Sequence, residues 1–125
     1  MTVLIDSWAW IEYFKGSKAG EQVKKLIEDS EERAVISAIT IAEVYGWILR
    51  SYDEEVAEEK RAAMRERAFV YDVDDDTAVE AAKIKHQKKW GLGDAIVYAT
   101  AKKSEATIVT GDPHFKNLEQ VVFLG

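Results

Sequence analysis

The chain has 125 residues, 47% of them hydrophobic, with one proline, seven glycines, no cysteine and a formal net charge of −6 from 23 acids and 17 bases. That length suits one ordinary domain with a real core, residues 1–125, and the composition is neither disordered nor fibrous. The missing cysteines exclude disulfides, thiolate metal sites and cysteine nucleophiles, while the acidic balance argues against a basic coat for nucleic acid unless bound cations supply positive charge locally.

The first apolar run, Thr2-Val3-Leu4-Ile5, reads as a strand and is followed by Asp6-Ser7 and a helical pattern through Phe14. Lys18 to Ser30 predicts an amphipathic helix with Val23, Leu26 and Ile27 inward. Ala34-Val35-Ile36 is a second strand, with Ser37 as N-cap of a helix reaching about Arg50. Asp53 to Arg67, dense in Glu, Lys and Arg, predicts an exposed helix with Val56, Ala63 and Met64 on its inner side. Phe69-Val70-Tyr71 is a third strand; the acidic turn Asp72 to Asp76 caps a helix through about Lys89. A further helix follows Gly93, and Ala106 to Thr110 and Val121 to Leu124 complete the strands. Strands and helices alternate throughout, which points to an α/β protein with a mainly parallel sheet sandwiched between helices. No basic leader precedes an apolar core. The longest apolar stretch, Ala34 to Leu49, is broken by Glu43 and falls short of the ~20 residues that span a bilayer, so a soluble cytoplasmic protein is expected.

Ligands of such sheets bind at the carboxyl ends of the strands, and four acids fall there. Asp6 follows the first strand, Glu43 lies in the early turns of the helix after the second, and Asp112 follows the fourth through Thr110-Gly111. Asp94 opens a helix that runs antiparallel to the strands, so it overhangs the same edge. Singly, Asp6 and Asp94 suit N-caps, and Gly-Asp-Pro is an ordinary turn. Glu43, three residues after Thr40 on a helix apolar on most sides, has no Lys or Arg one turn away and needs a partner. Crowded carboxylates without a counter-charge would bind protons and destabilise the fold; a hard cation such as Mg²⁺ or Mn²⁺ answers both problems.

The segments "VLIDSWAWIEYF", "ISAITIAEVYGWIL", "LGDAIVYATA" and "IVTGDPHF" occur in that order over nearly the whole chain. With them the sequence resembles the PIN-domain ribonucleases, in particular the small VapC-type toxins of prokaryotic toxin–antitoxin pairs. The resemblance implies a three-layer α/β/α sandwich around a mainly parallel sheet of four to five strands. It makes Asp6, Glu43, Asp94 and Asp112 an acidic quartet around one or two Mg²⁺ or Mn²⁺ ions, with Ser7 and Thr110 as hydroxyls that orient acids or water. The implied chemistry is attack of a metal-activated water on single-stranded RNA; the implied partners are a VapB-type antitoxin covering the acidic rim and a second copy in a homodimer.

His114 reads as a surface loop histidine and stays outside this expected site. Lys83, Lys85, His86, Lys88 and Lys89 offer phosphate contacts but equally suit the exposed end of a helix; of these, Lys88 and Lys89 with Trp90 are the candidates for RNA contact. Trp8, Trp10 and Trp47 fit core packing or an oligomer surface better. Two other functions stay open on the residues. A non-catalytic PIN-fold binding or scaffold module would not need the full set of acids. Another Mg²⁺-dependent phosphohydrolase with an Asp nucleophile would carry a second Asp two residues after Asp6, where Trp8 stands.

Overall fold

The computed structural model describes residues 1–29 and 31–125. Five strands, β1 (Thr2–Ile5), β2 (Arg33–Ser37), β3 (Phe69–Tyr71), β4 (Thr107–Thr110) and β5 (Val121–Phe123), form one parallel sheet in the order β3-β2-β1-β4-β5. The α-helices are α1 (Ser7–Lys15), α2 (Lys18–Lys24), α3 (Ala38–Ser51), α4 (Glu54–Arg67), α5 (Asp75–Lys88) and α6 (Leu92–Ser104). Among the described residues, no helix is long and apolar enough to cross a membrane.

Period-two alternation along the strands divides the core between two faces. Val3, Ile5, Ala34, Ile36 and Val109 pack with Trp10 of α1, Val23 of α2, Val44 and Ile48 of α3, and Ala57 and Met64 of α4. Leu4, Val35 and Ile108 point the other way, onto Val97 and Ala101 of α6 and Phe115. Helix α5 then covers α6 through Ala81 and Ile84 against Ala95, Ile96 and Ala99. The chain order explains this division. Parallel crossovers are right-handed in nearly all proteins, so stepping outward from β1 to β3 keeps α1–α4 on one face, and the return past β1 to β4 puts α5 and α6 on the other. The result is the expected α/β/α sandwich, with five strands.

The helix read over Lys18–Ser30 differs. Regular α-helix stops at Lys24, and Lys25–Asp29 is a π-helical turn; Ser30 lies outside the described residues. The wider turn leaves Leu26 and Ile27 only partly buried, though both still pack on the core beside fully buried Val23. On α4 the buried residues are Ala57 and Met64, while Val56 and Ala63 are half-buried. The acidic turn before α5 is a cap, as expected: Asp74 accepts from the Thr77 N–H at 2.8 Å and pairs with Lys103 at 2.7 Å.

Candidate active site

Strand order reverses between β1 and β4, and this is where an open parallel sheet leaves a crevice at its carboxyl edge. The register pairs Ile5 with Val109, which brings Asp6 level with Thr110. The Thr110 hydroxyl donates to Asp6 Oδ2 and accepts from the Asp112 N–H at 2.9 Å, so one side chain ties together two acids far apart in sequence. Asp6 Oδ1 accepts from the Ala9 N–H at 2.9 Å. Asp6 is therefore a helix cap through one oxygen and faces Thr110 through the other, at 4% exposure. We expect Thr110→Val to lower stability by ~1–3 kcal/mol by removing this two-way bridge. The loss should be larger at pH 8 than at pH 5 in thermal melts, because the lost donor serves the ionised form of Asp6.

Helix α6 brings Asp94 to the same edge, but not as a cap. Its N-cap is Gly91, without a side-chain bond, and Asp94 is the third helical residue, so its carboxylate is free of the backbone role expected for it. Asp94 Oδ2 lies 2.5 Å from His114 Nδ1, and the same nitrogen is 3.3 Å from Asp112 Oδ1. Sequence reasoning excluded His114 as a surface residue, and 57% of its side chain is indeed exposed. A local signal existed: Asp112 caps a 3₁₀ turn over Pro113–Phe115 by accepting from the His114 N–H at 3.0 Å, which holds the imidazole beside the carboxylate.

Glu43 also needs correcting. It is exposed, and the partner it was expected to need is at hand within the chain: the Ser7 hydroxyl donates to Oε1 at 2.5 Å. The other oxygen, Oε2, approaches Gly93 so closely that a Cβ there would lie 2.7 Å away. Gly111 is equally constrained: a Cβ would meet the Trp8 ring at 2.3 Å, so the turn carrying Asp112 is packed under an indole. Trp8 thus borders the site, whereas Trp10 is fully buried and Trp47 packs edge-on with Tyr52.

Trp90 lies next to this cluster, its ring 6.4 Å from that of His114 and edge-on to Tyr98 and Phe115. The Lys88 ammonium sits over the Trp90 and Tyr98 rings, while Lys89 ends α5 in the left-handed conformation.

Burial pushes the Asp6 carboxyl up to about 7, against the Thr110 and Ala9 hydrogen bonds and with help from the charges of Asp112 and Asp94. Burial and then Asp112 raise Asp94, with His114 opposing. The hydrogen bond to Asp94 raises His114, as do the charges of Asp112 and Asp94. The cleft thus holds protons where a cation would replace them. Donor atoms of Asp94, Asp112 and His114 all lie within 4.8 Å of one another. Two carboxylates and an imidazole so grouped are a donor set for a divalent ion. Among the described residues this group does not include Asp6, which is linked to the Asp112 N–H through the Thr110 hydroxyl, or Glu43, which lies against Gly93.

The sequence model of the PIN domain matches residues 3–121. The chain belongs to the PIN domain family. Nucleases with this domain generally use divalent metal ions, for which the acidic cluster is a candidate seat. No curated protein matches the sequence. The PIN fold recurs in a toxin–antitoxin complex from Klebsiella pneumoniae (22% identity, 98% of each chain, TM-score 0.78) and in DNA-bound VapBC from Salmonella typhimurium (17% identity, 100% and 99%, TM-score 0.78). It recurs also in VapC20 from Mycobacterium tuberculosis, described as a sarcin–ricin loop cleaving toxin (16% identity, 84% and 85%, TM-score 0.68).

Proposed function

We propose that this PIN domain is a metal-dependent endoribonuclease that hydrolyses phosphodiesters of single-stranded RNA and acts as the toxin of a toxin–antitoxin pair. The observation that carries the reading is the grouping of Asp94, Asp112 and His114 at the strand crossover, with Asp6 linked to the same turn through the Thr110 hydroxyl. Asp6, Asp94 and Asp112 would hold Mg²⁺ or Mn²⁺, one ion or two, and His114 is a further donor within reach. When bound, the ion supplies positive charge for the phosphate and acidifies water. Thr110 and the Ala9 N–H keep the Asp6 carboxylate from turning away. Ser7 fixes one oxygen of Glu43, which leaves Oε2, beside Gly93, to take the proton of the attacking water. No side chain need become covalently attached to the strand.

The toxin role is supported by family membership and by the likeness to VapBC complexes. On that reading a VapB-type antitoxin covers the acidic rim, and the toxin is a homodimer in the cytoplasm. The decisive test is incubation of the purified protein with a mixed RNA pool, with Mn²⁺ or with chelator, followed by mapping of the ends. Discrete new ends that need Mn²⁺ and vanish in Asp94→Asn are expected; cleavage that persists in chelator would overturn the metal-dependent reading.

Metal affinity should depend steeply on pH. Asp6 is protonated below about 7, Asp94 is shifted in the same direction, and His114 holds its proton more tightly than a free imidazole. Each proton displaced on binding makes the affinity rise about tenfold per pH unit. Calorimetry with Mn²⁺ between pH 6 and 8 should show tightening with pH and proton release that diminishes as pH rises; a flat profile would contradict this account.

A further inference from the structure

Beside the acids lies a hollow of about 430 Å³ lined by Ala82, Lys85, His86, Lys89, Trp90 and Leu92. We propose that it is a nucleotide subsite, in which a base of the RNA strand flanking the scissile bond stacks on Trp90 while its phosphates meet Lys85 and Lys89. The proposal rests on the ribonuclease reading above and adds where the strand runs.

Charge supports a nucleic-acid occupant. In a chain of net charge −6, two lysines of α6 are paired with acids, Lys102 with Glu80 at 3.4 Å and Lys103 with Asp74 at 2.7 Å. Among the described residues, Lys85 and Lys89 form no ion pair. Two unpaired cations therefore stand at the rim of a hollow in an otherwise acidic protein.

Shape and composition agree. Ala82 and half-exposed Leu92 give apolar walls, and Trp90 contributes an aromatic ring. The volume falls in the lower part of the ~300–1,000 Å³ range of ligand sites. A base is a flat apolar ring with a polar edge, flanked by phosphates, so a hollow lined by an aromatic residue and two lysines is complementary to it.

Continuity with the acids supports the same occupant. The Trp90 ring is 6.4 Å from the His114 ring, and His114 touches Asp94 at 2.5 Å. A base on Trp90 is therefore one side chain away from the cleft. This shifts the expected contact set: Lys88 sits over the Trp90 and Tyr98 rings and does not line the hollow, whereas Lys85 and His86 do.

The test is the anisotropy of a short labelled single-stranded RNA with Mg²⁺ over a salt series, on an Asp94→Asn background that leaves the strand uncut. Adding Lys85→Gln and Lys89→Gln should reduce the slope of log Kd against log salt by roughly 1.4, at about 0.7 per phosphate contact on a single strand. Trp90→Ala should weaken binding by about tenfold or more. Because Trp90 also packs on Tyr98 and Phe115, Trp90→Phe serves as the folding control and should restore most of the binding. Binding and salt slope equal to the background in all these variants would overturn the subsite and leave the nuclease reading standing. A background protein that binds no RNA at all would also overturn the subsite, while the nuclease reading stands or falls separately on Mn²⁺-dependent cleavage by the parent.

Discussion

Asp6→Asn is expected to abolish metal-dependent RNA cleavage and at the same time to raise the melting temperature of the metal-free protein at pH 8. The first effect follows from removing a negative oxygen from the group proposed to hold the ion. The second follows from burial. At 4% exposure the Asp6 carboxyl titrates near 7 in the fold, against 3.8 for an unperturbed carboxyl. For an acid shifted upward, the folded state binds the proton more tightly than the unfolded chain, so the penalty is absent below pH ~4, grows between the two values and is complete above about pH 7. A shift of this size corresponds to at most ~4 kcal/mol, and relaxation reduces the expected gain to ~1–3 kcal/mol. Asparagine keeps an oxygen for the Ala9 N–H and is itself a good cap, so α1 should be unharmed. At pH 5 most of the gain should disappear. Saturating Mn²⁺ should reverse the order, because only the parent gains the binding free energy of the ion. A variant that folds but melts no higher than the parent at pH 8 without metal would contradict this account of the cleft.

Gly93→Ala is expected to lower kcat by about a hundredfold or more without a loss of stability, since general-base contributions are typically of order 10²–10⁴. The added methyl carbon would lie 2.7 Å from Glu43 Oε2 and must displace that carboxylate. The clash falls on the free end of an exposed side chain, so the fold gives way easily while the Ser7 bond to Oε1 is lost. That bond contributes ~1 kcal/mol, and alanine returns up to ~1 kcal/mol of helix propensity, which leaves little net change. Gly91→Ala is the control: nothing lies within 4 Å of its added carbon, so activity should match the parent, with a modest fall in melting because alanine is the poorer N-cap. Full turnover in a folded Gly93→Ala protein would remove Glu43 from the chemistry.

The strands were legible because each is a short apolar run ended by a polar or small residue, and their ends locate Asp6 and Asp112 without further help. The direction of the last long helix follows from alternation, so the rim position of Asp94 was legible too. What was hidden depends on contacts between distant segments. Asp94 reads as a cap in sequence, yet the helix starts two residues earlier at Leu92, and its N-cap Gly91 has no side chain to announce it. The partner of exposed Glu43 was hidden because Ser7 lies 36 residues away, and only the fold brings its hydroxyl to Oε1. His114 lies 20 residues from the carboxylate it touches, and only the packing of α6 against the turn after β4 joins them. The π-helical turn after α2 leaves no mark in the hydrophobic period, since Leu26 and Ile27 face the core in either geometry.

The bond between Thr110 and Asp6 spans 104 positions of the polypeptide. A growing chain therefore carries none of this machinery in working order until its closing strands have slotted in beside the first. If the finished molecule is a hazard to the cell that makes it, the order of synthesis is itself a safety catch, and an unfinished copy is harmless by construction.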